Sequence, residues 1–594
     1  MMYPSIPLAQ TLVRLFEIKK IKHVIICAGS RNAPLTNGFV ANPYFHTYSM
    51  VDERAAAFFG LGIAQQTQSP VALLCTSGSA LLNFYPAVAE AYYSDIPLIV
   101  ISADRMPHRI DIGDGQTIRQ IGVFEPHLEG VAHLKPDVIH ATKTLLQNPM
   151  QQLLNPNPTS DEILLEQDNI QRHNTEEISR VLDIVISQKG PVHFNVPLEE
   201  PLYGMTDTAI PLTHKTPSLP FENTTDDSLI SFKEQWDKAK KKIVIFGVLS
   251  PNSIDDELIQ LLCNDPSVVV LTETTSNIRH KKAINSIDSL MAPLEISGSD
   301  FYKYLQADIL LSFGGMIVSK KIKSFFRLNA PKKHWHVDLK KAYNTYYCLE
   351  QHLKTTPNNF LKVLYNNPNL KISSDYNTRV LERYESYRKV GKAYLKKIPF
   401  SDLQVFETIF KKIPKKINLQ LANSSTIRYA QLFDLPEKAA VFCNRGTSGI
   451  DGSTATAVGA SLMNTLPTLL ITGDLSFFYD INGLWNNHIP ASFRILLINN
   501  NGGGIFRILP GEKDTPKYDR YFETIHQRDA RQVAKAFDFR YQKVHTLWKL
   551  KMVLNGFFKP SSKPKILEIQ TPRKSNDKVL LDYFKSMATN SINS

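Results

Sequence analysis

The segment Phe493–Phe506 reads FRILLINNNGGGIF. A run of leucine and isoleucine long enough for a buried strand stops abruptly at three asparagines, and three glycines follow. Upstream, LLITGDLSFFYDINGL (Leu469–Leu484) has the same plan, an apolar run ending at Asp474. Asn501 lies about 27 positions after Asp474. If the two strands are neighbours, a carboxylate (Asp474), an amide oxygen (Asn501) and a backbone carbonyl (Gly503) face one small volume. Magnesium favours that set, because it takes hard oxygen ligands in an octahedron and leaves positions for water and phosphate. Gly502, Gly503 and Gly504 let the backbone turn and approach an anion without a Cβ clash. Either half alone also reads as a helix cap or an Asn-Gly turn. Together they point to a diphosphate and metal site.

The pattern recurs along the chain. Short β-branched runs ending in small or polar residues alternate with helical pattern, which predicts parallel sheets covered by helices. One set comprises HVIICAGSR, VALLCTSGS, LIVISADR and GPVHFNVP; a second KKIVIFG, SVVVLTETT, ADILLSFGG and HWHVDL; a third AAVFCNRG, TLLITGD, RILLINNNGGG and KILEIQTP. The fold class is therefore α/β, with three doubly wound parallel-sheet domains at residues 1–203, 204–370 and 371–594. The first and third sets share a layout, which implies two related sheets flanking a middle one. Tyr203–Glu222, rich in Pro and Thr, reads as a linker, and a second break falls between TTPNNF and SSDYN. Every informative motif sits where a strand stops, the edge at which open parallel sheets bind ligands.

Composition agrees with a globular protein: 594 residues, 43% hydrophobic and 21% charged, too long for one core. The formal charge of +12 suits anionic ligands. Most lysines lie in mixed helical stretches such as RYESYRKVGKAYLKK, which read as solvated faces, and no nucleic-acid-binding module accompanies them. No GxGxxG opens a helix after an early strand, which excludes the usual nicotinamide fingerprint. The five cysteines are far apart and sit largely in apolar runs, the mark of a reducing compartment. No signal sequence or membrane-length apolar run is present. The expected location is the cytoplasm, without membrane insertion or nucleic-acid partner.

Gly-Asp followed by Asn-Asn at this spacing resembles the metal-diphosphate signature of thiamin-diphosphate enzymes. Leu475 replaces the usual glycine. GDLSFFYDINGL with NNNGGGIF resembles in particular the 2-succinyl-5-enolpyruvyl-6-hydroxy-3-cyclohexene-1-carboxylate (SEPHCHC) synthases of menaquinone biosynthesis. AGSRNAPLT, VDERAAAFFGLGIA, TSGSALLNFYPAVAEA, SADRMPHRIDIGDGQTIRQ, GPVHFNVPLEEPLY and NRGTSGIDGSTATAVG are similar to that family's other blocks. The resemblance implies a pyrimidine-binding, a middle and a diphosphate-binding domain. It implies thiamin diphosphate with Mg²⁺ or Mn²⁺ as cofactors, and 2-oxoglutarate and isochorismate as substrates. It also implies a homodimer at least, commonly a tetramer, because Glu53 and Asp474 lie in different domains and one cofactor reaches both.

The residue roles follow from the same resemblance. Glu53 would hydrogen-bond the cofactor's aminopyrimidine from a dry pocket that raises its proton affinity; read alone, Asp52 caps a helix and Glu53 complements its dipole. Ser77, Gly78, Leu475, Ser476 and Ile505 would line the cofactor, and Ile450 would support its bent shape. Asp474, Asn501 and Gly503 would hold the metal. Both substrates are dicarboxylates, which calls for guanidinium forks. Ser424, Arg428 and Arg445 would hold the succinyl end, the two arginines acting at the reacting substrate. Ser30, Arg31, Arg105, Gln116, Lys320 and Lys321 would hold isochorismate, with Phe506 as an apolar wall. Paired lysines are as readily a solvated face. Two alternatives stay open: another thiamin-diphosphate-dependent 2-oxo-acid decarboxylase or carboligase, and an inactive scaffold of the same fold.

Overall fold

Three parallel sheets organise the protein, whose structure, a computed structural model, describes residues 2–147, 154–155, 157–212, 226–366, 373–509, 511 and 513–590. The first has the spatial order His46–Met50, His23–Cys27, Val71–Cys75, Leu98–Asp104, Val192–Pro197, Gly130–Ala132. The third runs Lys438–Phe442, Lys416–Leu421, Thr468–Gly473, Arg494–Asn499, Lys565–Gln570, Arg540–Val544. Numbered by position along its own stretch of chain, each sheet is wound 2-1-3-4-6-5, so the shared layout expected from the sequence is an identity of topology. The middle sheet runs Val268–Thr272, Lys242–Phe246, Ile309–Phe313, Lys333–Val337, Gln351–Leu353. All twelve runs singled out in the sequence are strands. Their residues are buried almost end to end, as strands covered on both faces by helices must be.

The chain gathers into two compact units. One comprises Met1–Pro220, Asn444–Thr465 and Asp480–Pro490; the other comprises Phe221–Cys443, Leu466–Tyr479 and Ala491–Ser594. The first unit holds the first sheet, with a core in which Phe16 meets Phe39 and Phe194 edge-on, ring centroids 5.6 and 6.1 Å apart. In it the helix Glu53–Thr67 lies against the helix Ser453–Leu462. A Cβ on Gly62 would stand 2.1 Å from the Thr456 carbonyl oxygen, and one on Gly459 2.0 Å from that of Phe59. Glycine at both points lets the two helix backbones touch. Asp480 caps the second helix, accepting from the Thr454 and Ala455 amides at 2.8 and 2.9 Å.

The second unit holds the middle and third sheets. The mixed helical stretch RYESYRKVGKAYLKK falls largely within the helix Tyr376–Leu395. The second break is narrower than the sequence suggested, because Pro357–Leu364 is a helix: Thr356 caps it, Pro357 occupies its first turn, and Phe360, Leu361 and Leu364 are buried. A Thr-Pro pair that reads as a turn is equally a helix start. Of the linker expected at Tyr203–Glu222, Met205–Thr206 pairs antiparallel with Tyr3–Pro4, and residues 213–222 lie outside the described ones.

Candidate active site

In the third sheet the register sets Gly473 opposite Ile498, and Asn499 opposite Gln570. Asp474, Asn501 and Gln570 therefore leave the sheet at one edge. Asp474 is buried; its Oδ2 accepts the Gly502 amide at 2.9 Å and its Oδ1 the Leu475 amide at 2.8 Å. His526 Nε2 stands 3.2 Å from the same carboxylate. A carboxylate has about four acceptor positions, so capacity for a cation is left. Asn501 adopts φ +64°, with its Oδ1 receiving Gln570 Nε2 at 3.0 Å, which aims the amide oxygen. The Gly503 amide donates to the Glu523 carbonyl at 2.6 Å, and the Gly503 carbonyl accepts the Phe506 amide at 3.1 Å, which leaves it one further acceptor position. One carboxylate, one amide oxygen and one carbonyl on a glycine loop fit a hard divalent cation and the phosphates it bridges.

Below this edge, sequence reasoning missed the supports. Asp402 is fully buried and pushed up to about 6 by burial, accepting from Asn500 Nδ2 at 3.0 Å and Thr571 Oγ1 at 2.6 Å. Arg507, only 3% exposed, forks onto the wholly buried Glu523, the residue whose carbonyl holds Gly503. Ile505 and Phe506 open the short helix Ile505–Ile508. Phe506 is 37% exposed, so it is an uncovered wall rather than core, with Phe522 at 6.1 Å. Leu475 is half-buried and Ser476 buried in the turn of helix after Asp474.

Ser424 and Arg428 follow the strand Lys416–Leu421. Ser424 has φ +64° and ψ −126°, a backbone state that ordinary side chains rarely adopt and that recurs at ligand sites. Arg428 is half-buried on the helix Ser425–Ala430, and its charge and that of Lys321 both act on the buried Asp288. Lys320 and Lys321 open the helix Lys320–Leu328, which Ser319 caps, and Lys321 Nζ is paired with Glu295.

The remaining candidates belong to the first unit. Glu53 is the first residue of its helix, and Asp52 caps it, accepting the Ala55 amide at 3.1 Å and Asn482 Nδ2 at 2.7 Å. Asp52 therefore takes the capping role, and Glu53 is not the cap. Burial, with a further contribution from the charge of Asp52, raises the Glu53 carboxyl above its ordinary range. Arg445 and Ile450 lie on the loop before the helix Ser453–Leu462, and Ile450 is 39% exposed among turn residues. Glu90, buried and unforeseen in the sequence, holds that loop: its carboxylate accepts from the Gly446 and Thr447 amides, each at 2.7 Å, and from Thr447 Oγ1 at 2.9 Å.

Ser30 is exposed after the strand His23–Cys27. Arg31 is buried, with Nη1 on the Leu198 carbonyl at 3.0 Å and Nη2 on Glu200 at 3.1 Å; burial and the charge of Arg105 lower its proton affinity. Arg105 Nε donates to the Gly115 carbonyl at 3.1 Å. Ser77 is buried, and Gly78 has φ +86°, with Gln116 3.3 Å from where its Cβ would be. Gln116 itself is exposed at φ +56°. The register brings these loops to one edge, with Cys75 opposite Ser102 and Asp104 opposite Pro197.

The strand-end sites are those of a thiamin-diphosphate enzyme. Residues 6–125 match the family model described as "Thiamine pyrophosphate enzyme, N-terminal TPP binding domain", and residues 214–421 the one described as "Middle domain of thiamine pyrophosphate". A 2-succinyl-5-enolpyruvyl-6-hydroxy-3-cyclohexene-1-carboxylate synthase of Christiangramia forsetii is 48% identical over 99% of this chain and 100% of its own length. Proteins of the same name from Flavobacterium psychrophilum and Flavobacterium johnsoniae are each 47% identical over 99% of this chain and all of theirs. The chain belongs to the SEPHCHC synthase family. Among the described residues no helix is long and apolar enough to cross a membrane.

Proposed function

We propose that the protein catalyses decarboxylation of 2-oxoglutarate and conjugate addition of the succinyl unit to isochorismate, releasing CO₂ and SEPHCHC. The observation that carries the reading is the register of the third sheet, which puts Asp474 and the Asn501–Gly503 loop on one edge, within a chain similar over its full length to synthases of that name. Asp474 Oδ, Asn501 Oδ1 and the Gly503 carbonyl would hold Mg²⁺ or Mn²⁺. When bound, thiamin diphosphate supplies the nucleophilic carbon and the electron sink for loss of CO₂. Ser77, Gly78, Ile450, Leu475, Ser476 and Ile505 would contact it.

Glu53 would share a proton with the aminopyrimidine of the bound cofactor, a role favoured by the burial that raises its proton affinity. Arg428 and Arg445, with Ser424, bind and orient the 2-oxoglutarate carboxylates by charged hydrogen bonds of about 1.5–3 kcal/mol each. Ser30, Arg31, Arg105, Gln116, Lys320 and Lys321 receive isochorismate, and Phe506 excludes water from the reacting carbon. The reading divides the chain into domains at residues 1–203, 204–370 and 371–594, one for each sheet. It takes a homodimer or homotetramer as the working form and the cytoplasm as its compartment. The test is an omission series with thiamin diphosphate, Mg²⁺, 2-oxoglutarate and isochorismate, following the acceptor's absorbance. Loss of absorbance is expected only in the complete mixture; turnover of 2-oxoglutarate with no consumption of isochorismate would favour a simple decarboxylase instead.

A further inference from the structure

Behind the isochorismate loops lies a hydrogen-bond network whose every direction can be assigned. Asn195 sits on the strand Val192–Pro197, with Ser102 opposite it on the neighbouring strand. Its Nδ2 donates to Asp104 Oδ2 at 2.8 Å, so its Oδ1 is purely an acceptor. That oxygen takes Gln120 Nε2 at 2.7 Å and Ser102 Oγ at 2.9 Å. Since the Ser102 proton points to Asn195, His193 Nε2, 2.7 Å from Ser102 Oγ, must carry the hydrogen of that bond. His193 is fully buried, which pushes it down to about 3, so it is the neutral ring that donates from Nε2.

The network ends on the loops assigned to the acceptor. Asp104 Oδ1 accepts the Arg105 amide at 2.8 Å. Gln120 Oε1 accepts the Gly78 amide at 2.9 Å. Arg105 in turn holds the Gly115 carbonyl, next to Gln116. Ser102, Asp104, Gln120 and His193 are each no more than 5% exposed. A polar cluster so buried is costly unless every group is satisfied, and its partners are three separate loops.

We infer that Asn195 is the positioning residue of the acceptor side: through Asp104 and Gln120 it sets the Arg105 and Gly115–Gln116 loops and the Gly78 turn at the spacing that isochorismate requires. The inference rests on the proposed function for the identity of the acceptor. It assigns Asn195 no contact with substrate.

The decisive variants exchange donor and acceptor. Asn195→Asp puts a carboxylate against Asp104, and the contact survives only while one of the two holds a proton. The charges facing that pair are Arg31 and Arg105, with neutral His193 behind Ser102. Steady-state kinetics of Asn195→Asp should show KM for isochorismate raised about tenfold or more at pH 8, falling toward the wild-type value as the pH is lowered to about 6, because the shared proton restores the lost donor. KM for 2-oxoglutarate and the Kd for thiamin diphosphate with Mg²⁺ should stay within about twofold. Asp104→Asn combined with Asn195→Asp reverses the pair: the amide introduced at position 104 would donate through its nitrogen to the carboxylate introduced at position 195, and its oxygen would still accept the Arg105 amide. This double variant should recover the wild-type KM with no added pH dependence.

Wild-type KM in Asn195→Asp, or equal damage to both substrates and the cofactor, would overturn the inference, as would a folded double variant that fails to recover. Should the single variant not fold, the double variant and Gln120→Glu, for which the same recovery in acid is expected, carry the test. A wild-type protein that consumes no isochorismate would remove the proposed function, an outcome distinct from normal wild-type turnover with an unaltered Asn195→Asp.

Discussion

Replacing Gly502 by alanine should loosen the diphosphate loop without dismantling the sheet beneath it. Gly502 has φ +151°, and a Cβ there would stand 2.6 Å from the Glu523 carbonyl oxygen. A methyl group needs a contact of at least about 3 Å, so one segment must retreat by about half an ångström. The oxygen it meets belongs to the carbonyl that accepts the Gly503 amide, and the Gly502 amide is the donor to Asp474. The displacement therefore falls on the Asp474 and Gly503 contacts of the loop proposed to hold the cation. The backbone state costs about 1–3 kcal/mol for a residue with a side chain, and the overpacking about 1–3 kcal/mol more. If half of that is felt in the bound state, about 1–3 kcal/mol, Kd for thiamin diphosphate with Mg²⁺ rises about fivefold to 140-fold, since about 1.4 kcal/mol is a factor of ten.

Isothermal calorimetry with excess Mg²⁺ reads this directly, and thermal unfolding separates it from general loss of structure. Gly298→Ala is the matched control: φ is +60°, and nothing lies within 4 Å of the added methyl. It should lose stability alone. Wild-type cofactor affinity in Gly502→Ala, with its fold intact, would refute the proposition that this loop binds the metal and diphosphate.

Glu53→Gln should abolish turnover while cofactor affinity, by calorimetry, changes little, because the amide fills the same space but cannot share the proton; a normal rate would remove Glu53 from the mechanism. Arg428→Ala should raise KM for 2-oxoglutarate by about tenfold to a hundredfold, the worth of one charged hydrogen bond, and leave cofactor Kd alone; unchanged kinetics would refute its carboxylate role. Burial raises Asp480 to about 7, so the folded protein keeps a proton that the unfolded chain releases near about pH 4. The stability this proton contributes is full below about pH 4 and lost as the pH rises through about 7. Asp480→Asn retains an oxygen for the Thr454 and Ala455 amides, so the fall in Tm between about pH 5 and 8 should become shallower; an unchanged slope would contradict the assignment.

Most strands legible in the sequence are those covered on both faces, where composition is nearly all apolar; the edge strand Lys438–Phe442 showed only through its short AAVF run. The strands it hid have physical reasons to be hidden. Lys416–Leu421 (KINLQL) lies inside the third sheet, but its buried Asn418 and Gln420 interrupt the apolar run. Arg540–Val544, His46–Met50 and Gly130–Ala132 are edge strands, where polar residues are tolerated. Among the candidate site residues, Asp474, Asn501 and Gly503 drew notice in the sequence because ligand chemistry and turn chemistry both leave marks at a strand end. Glu90, Gln120, His526 and Glu523 were not, because each acts through hydrogen bonds or ion pairs to partners many positions away. The one trace was the polar His193 and Asn195 in the otherwise apolar GPVHFNVP.

The common winding of the first and third sheets explains why function is spread as it is. After the first strand of each come Ser30 and Arg31 in one sheet and Ser424 and Arg428 in the other. After the second come Glu53 and Arg445, after the third Gly78 and Asp474, and after the fourth Arg105 and Asn501. These eight exits carry most of the residues proposed for the reaction; Lys320 and Lys321 follow a strand of the middle sheet. Each sheet supplies loops whose backbone amides converge at the carboxyl edge, a property of topology alone. What differs is chemistry. The third sheet's exits after strands three and four present oxygens suited to a cation. The first sheet's equivalent exits present Gly78 and Arg105, tied together through Gln120, Asn195 and Asp104. An inert scaffold with this winding would need neither the buried carboxylate that holds the Arg445 loop nor the buried amide network behind Arg105. Both are expensive to bury unless their full complement of partners is met, and both end on loops rather than in a core. Selection for stability alone would replace them with apolar side chains, so their presence argues that positioning the loops is what they are kept for.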